Sequence, residues 1–134
     1  MYMLDTDTCI YVLKSRDTSL RHKFKTARHL AISSIVYGEL CFGIENGDPE
    51  MRSRRYEQLK RFLRKINIEP WTANEGVLYG QLRSRLKQAG MIIGNNDLLI
   101  AAHALSCEAT LVTNNQREFS RIAGLVCDNW LENP

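Results

Sequence analysis

Three carboxylates, Asp5, Glu39 and Asp97, stand where a charged side chain is costly unless something uses it. Asp5 directly follows the apolar run Tyr2 to Leu4, and Asp97 opens an apolar stretch just after the turn-prone Gly94, Asn95 and Asn96. Glu39 falls in the first two turns of the helix-like segment SSIVYGELCFGIEN, spaced from Ile35 and Phe42 along its inward stripe. Carboxylates converging from different elements repel one another unless a cation neutralises them. An all-oxygen set without paired His or Cys suits Mg²⁺ or Mn²⁺ rather than zinc. Mg²⁺ keeps several waters and joins few carboxylates to a substrate phosphate, so such a site can orient a water, lower its pKa and stabilise the leaving oxygen. That is the chemistry of phosphodiester hydrolysis.

A plainer account makes Asp7 and Asp97 helix-capping acids, gaining a few tenths to about 1 kcal/mol from the helix dipole. For Asp7 alone this account is preferred; for Glu39 it fails, because a buried glutamate without a partner costs several kcal/mol or a large pKa shift. His22, His29 and His103 form no triad and there is no G-x-S-x-G elbow; His103, within an apolar segment, is expected to be a hydrogen-bonded core residue. Cys9, Cys41, Cys107 and Cys127 are scattered without a CxxC pair, which points to reduced, buried thiols rather than a zinc site or a disulfide framework.

The elements that must position the acids are legible as alternating strands and helices. Tyr2 to Leu4 reads as a strand, with Thr6 to Thr8 offering caps for a helical turn Ile10 to Leu13. A polar helix from about Asp17 to Arg28 leads into a strand Leu30 to Ile32, and Ser33 or Ser34 caps the helix of Glu39, which ends near Gly47 to Pro49. Glu50 to Ile66 reads as one long helix, with Leu59, Phe62, Leu63 and Ile66 inward and Arg52, Arg54, Arg55, Lys60, Arg61, Arg64 and Lys65 outward. A short strand at Ile66 to Pro70, a helix Ala73 to Gln88, an apolar helix from Asn95 or Asn96 through Leu105, a strand Ala109 to Val112, a short helix Asn114 to Arg121 and a last strand Leu125 to Cys127 complete the chain. Such alternation implies a parallel sheet covered on both faces, with the ligand site outside the carboxyl ends of the strands, where Asp5 and the Thr113 to Asn115 turn fall.

The bulk properties fit this picture. A chain of 134 residues has the length of one domain and can bury about two thirds of its surface. With 44% hydrophobic and 25% charged residues it is an ordinary globular composition. No apolar run approaches the roughly 20 residues of a membrane span, and the segment MYMLDTDTCI is no signal peptide, so a cytoplasmic protein without membrane association is expected. A net charge of +3 does not by itself declare a nucleic-acid binder, but the basic helix concentrates cations that could meet phosphates or an acidic protein tail.

Taken in order, YMLDTDTCIYVLK, SSIVYGEL, IIGNNDLLIAAHAL and ATLVTNNQREF resemble the PIN-domain family, and within it the VapC toxins, over essentially the whole chain. The resemblance implies a single domain over residues 1–134, a three-layer α/β/α sandwich on a central, mainly parallel sheet of about five strands. It implies a Mg²⁺-dependent endoribonuclease, with Mn²⁺ as a substitute ion, whose catalytic and metal-binding acids are Asp5, Glu39 and Asp97. Where the family often has a fourth acid this chain has Asn115, with Glu118 one helical turn on; both are further candidate ligands. Asp7 stands where many members have asparagine, and Thr6, Asp7 and Thr113, with Arg54, Arg55 and Arg61, are the candidate substrate contacts. The family also implies a VapB-type antitoxin partner, homodimers, operator DNA bound only through the antitoxin complex, and tRNA as substrate, initiator tRNA at its anticodon stem loop being preferred. Two rivals remain on the residues alone. LDTDTC approximates the D-x-D-x-[TV] loop of a haloacid-dehalogenase-like phosphatase, with Asp5 as nucleophile and Asp7 as acid/base, and the acids could be mere caps on a catalytically silent nucleic-acid-binding module.

Overall fold

The computed structural model describes residues 1–131; the last three positions of the expected domain lie outside the described residues. Five short segments form the strands: β1 (Tyr2–Leu4), β2 (Leu30–Ser33) and β4 (Thr110–Val112), apolar and largely buried, and β3 (Ile66–Glu69) and β5 (Cys127–Asp128), more polar and partly exposed at the edges of the sheet. They make one five-stranded sheet in the order β3-β2-β1-β4-β5, and every pairing is parallel. Tyr2 sits opposite Leu30 on one side and Thr110 on the other, so β1 is the central strand.

Among the described residues, seven α-helices cover the two faces: α1 (Thr6–Lys14), α2 (Thr18–Thr26), α3 (Ser34–Glu45), α4 (Arg52–Phe62), α5 (Ala73–Gln88), α6 (Asn95–Ser106) and the one-turn α7 (Gln116–Phe119). Parallel neighbours require such crossovers, which is why the result is the three-layer α/β/α sandwich. Met3, Leu4, Ile32, Leu111 and Val112 form the middle of the core, with Val36 of α3 and Ile100 of α6 packed against the sheet. The expected all-apolar character of α6 holds: Leu98, Ile100, Ala101, Ala102 and Ala104 are all buried.

Several boundaries differ from expectation. The long helix drawn over Glu50 to Ile66 is a 3-10 turn at Pro49–Met51, then α4, then a second 3-10 turn at Leu63–Lys65, and Ile66 already belongs to β3. Proline suits the first turn, because its missing N–H has no helical partner there. Phe42 is not on the inward stripe of α3; it is 68% exposed, and Val36, Leu40 and Ile44 form the buried face. The cysteines are all free, but only Cys9 is buried; Cys41, Cys107 and Cys127 are partly accessible.

Candidate active site

The carboxyl ends of β1 and β4 bring the acids together. Asp5 leaves β1 and turns at once into α1, and it is Asp5, not Thr6 to Thr8, that caps this helix by accepting from the Thr8 backbone N–H at 2.9 Å. Its own N–H donates to the Val112 carbonyl of β4 at 3.1 Å, and the Thr8 hydroxyl donates to the same carbonyl at 3.2 Å. Asp5 is buried, and loss of water pushes its pKa up; hydrogen bonds from Thr113 and Thr8 oppose that, and Asp7 adds a small like-charge effect.

Glu39 is half-buried on α3 rather than enclosed, and both its oxygens have donors. The Thr6 hydroxyl donates to Oε1 at 2.6 Å and the Asn96 amide to Oε2 at 2.9 Å. Asn96 is a site residue that sequence reasoning passed over, since in a Gly-Asn-Asn turn an asparagine is already accounted for as a helix opener. Asp97 lies in the first turn of α6 without capping it, the N-cap being Gly94. Burial first, then the neighbouring Glu118, Asp5 and Glu39 charges, raise its pKa to about 6.

Between Asn115 and Glu118 the structure discriminates. Glu118 stands within reach of Asp97: a Cβ added to Gly94 would lie 3.8 Å from Asp97 Oδ2 and 4.0 Å from Glu118 Oε1. Glu118 Oε1 accepts from the Gly94 N–H at 3.1 Å and Oε2 from the Asn115 amide at 2.9 Å, so Asn115 orients the acid instead of adding one. Thr113 is fully buried, its hydroxyl engaged with Asp5 and with the Asn115 N–H at 3.0 Å; it shapes the turn and is closed to a substrate. Asp7 is exposed in the first turn of α1. Of the arginines, Arg55 borders an apolar groove between α1, α3 and α4 that Glu39 also lines, while Arg54 and Arg61 are exposed on α4 away from that groove's lining. His103 is 1% exposed with its Nδ1 2.7 Å from Ser33 Oγ, the hydrogen-bonded core histidine expected.

Asp5, Glu39, Asp97 and Glu118 thus share one pole, and among the described residues the salt bridge present, Arg52 to Glu45 at 3.6 Å, lies elsewhere. Among those residues no three His, Cys, Asp or Glu side chains are placed closely enough to hold a metal ion by themselves. A hard divalent cation that keeps its waters and takes one or two carboxylates fits a set of oxygens spaced this way, and it would relieve their repulsion.

A parallel three-layer domain with acids gathered beyond the strand ends is an arrangement shared by enzymes that act on phosphate esters through a divalent metal. Residues 2–125 match the PIN domain family. The chain is 41% identical to Ribonuclease VapC2 of Rickettsia felis, over 97% of this chain and 98% of that one. It is 35% identical to the tRNA(fMet)-specific endonuclease VapC of Shigella flexneri, over 96% and 97%. A crystal structure of DNA-bound VapBC from Salmonella typhimurium superposes with a TM-score of 0.90 at 33% identity, covering 96% of this chain and 97% of that one. The chain belongs to the PIN domain family, in its branch of VapC ribonucleases. The phosphatase reading of Asp5 and Asp7 falls with that membership, as does the catalytically silent module.

Proposed function

We propose that this chain, one domain over residues 1–134, is the endoribonuclease toxin of a VapBC-type pair, acting in the cytoplasm on tRNA with Mg²⁺, or Mn²⁺ in its place. The observation that carries the reading is the set of mutually repelling acids, Asp5, Glu39, Asp97 and Glu118, gathered at one pole of the sheet. Asp5, Glu39 and Asp97 would hold the ion, with Glu118, oriented by Asn115, as a further ligand. When bound, the ion supplies charge neutralisation and a lowered pKa for a water near the scissile phosphate. The chain's own contribution is orientation: Thr6 and Asn96 fix both oxygens of Glu39, and Thr8 and Thr113 fix Asp5. Thr6 and Asp7, beside the acids, and Arg54, Arg55 and Arg61 on α4 are the groups we assign to the RNA, the arginines through its phosphates.

Initiator tRNA, cut in its anticodon stem loop, is the substrate we favour; the choice of tRNA is supported by the Shigella flexneri relative, which is named a tRNA(fMet)-specific endonuclease. The DNA-bound VapBC complex of Salmonella typhimurium supports a VapB-type antitoxin as partner and DNA bound through that complex; we propose further that this DNA is the operator and that the toxin is a homodimer. No helix among the described residues is long and apolar enough to cross a membrane. The test is incubation of antitoxin-free protein with total tRNA, in Mg²⁺ or EDTA, beside Asp97→Asn. Magnesium-dependent cutting of one tRNA species, absent from the variant, is expected. Cutting that survives EDTA or the substitution would overturn the site, and indiscriminate degradation of all RNA would overturn the substrate.

A further inference from the structure

The helices that carry Glu39 and Asp97 are tied together by two polar bridges, one buried and one partly buried. Ser33, the last residue of β2, is fully buried; its Oγ accepts from the Ile35 N–H at 3.1 Å, capping α3, and lies 2.7 Å from His103 Nδ1 on α6. Next to it, Ser34 Oγ accepts from the Trp71 N–H at 3.0 Å, and Trp71 Nε1 donates to the Leu99 carbonyl of α6 at 3.1 Å. Glu39 lies less than two helical turns beyond Ser33, and Asp97 less than two turns before His103, so each bridge acts through a short rigid lever. The Asn96 amide closes the same pair of helices at the level of the acids.

These bonds act against the carboxylates. Like charges on α3 and α6 push the helices apart whenever no cation lies between them, and a hydrogen bond sealed from water has no solvent replacement if it opens. We infer that Ser33, His103 and Trp71 are positioning residues, which hold α3 and α6 at the separation an incoming divalent cation requires. Resting on the assignment of Glu39 and Asp97 as catalytic acids, this predicts a role for a histidine and a tryptophan that touch neither substrate nor ion. Neutral His103 suits the task, because burial lowers its pKa.

The test compares His103→Leu, which removes the bridge and leaves the Ser33 cap, with His103→Asn, whose amide can reach Ser33 as Nδ1 does. Mn²⁺ affinity is read by electron paramagnetic resonance, and the separation of Glu39 from Asp97 by crystal structures of the metal-free proteins. His103→Leu should bind Mn²⁺ roughly ten- to hundredfold more weakly, in the range of lost outer-sphere support, with His103→Asn restoring most of it. The separation of the two acids should widen in His103→Leu. If His103→Leu does not fold, Trp71→Phe, which loses the Nε1 donor to Leu99 together with part of the ring packed near Gly76 and Tyr79, carries the same comparison. A folded variant of lowered stability with unchanged affinity and unchanged separation of the acids would overturn the inference. If wild-type protein binds no Mn²⁺, the catalytic assignment falls, while the separation of Glu39 from Asp97 still decides whether the bridges set the spacing.

Discussion

Asp97 has lost water on one side and faces Glu118, Asp5 and Glu39 on the other, and both effects make it hold its proton. Its pKa is about 6 in the fold, above the ordinary aspartate value of 3.8, so its contribution to stability is fully present below the lower value and is lost as pH rises through the upper. His103, lowered by burial, works in the opposite sense as pH falls, so the informative comparison is between variants. In EDTA, Asp97→Asn should melt a few degrees above wild type at pH 7.5 and close to it at pH 4.5; calorimetry showing equal melting at both would contradict the crowding of the acids. Asp5, Glu39 and Asp97 were legible as candidates because each is an acid set beside an apolar segment, and the structure brings the three near one another. Asn96 was not, since a turn explains an asparagine without reference to Glu39. Nor was the division of labour between Asn115 and Glu118, which depends on a turn bringing Glu118 back to Gly94.

At the scale of elements, strands and helices were readable in order and kind because buried parallel strands are short and apolar and the helices carry their own periodicity. Their ends were less so. Pro49 and the residues after Phe62 divide what periodicity alone draws as one helix, since a 3-10 turn keeps the hydrophobic spacing while changing the hydrogen bonding. The start of α5 shows what such an end contributes. Glu75 is buried, accepts from the Thr72 N–H and hydroxyl at 2.7 Å each, and is bonded by the Ser106 hydroxyl of α6. These donors, Ser106 foremost, hold its pKa down to about 2, so it supports the fold above the ordinary glutamate range and progressively less as acid protonates it. Glu75→Ala should cost about 1–3 kcal/mol in urea unfolding, with part recovered in Glu75→Gln, and Mn²⁺ binding should be spared because the residue lies off the acidic pole. Loss of Mn²⁺ binding in a folded Glu75→Ala protein would place it in the site.

For the whole molecule, the balance of +3 conceals a division between the acidic pole and the cations of α4. Replacing Arg54, Arg55 and Arg61 by Gln should weaken RNA binding and flatten its dependence on salt, about one phosphate contact per arginine engaged. An unchanged slope, measured by filter binding between low and physiological salt, would put the RNA on another face. The three-layer architecture followed from the alternation of elements, but the strand order did not, because crossover length leaves the choice of neighbour open. That order places β1 at the centre of the sheet, and the Thr8 hydroxyl beside it bonds the Val112 carbonyl 104 positions along the chain. During synthesis, therefore, Asp5 emerges long before the strand that completes its surroundings, and Asp97 follows only just ahead of that strand. A ribosome making this enzyme releases almost all of it before the acids can assemble, so the nascent polypeptide is unarmed beside the very RNA machinery that surrounds it.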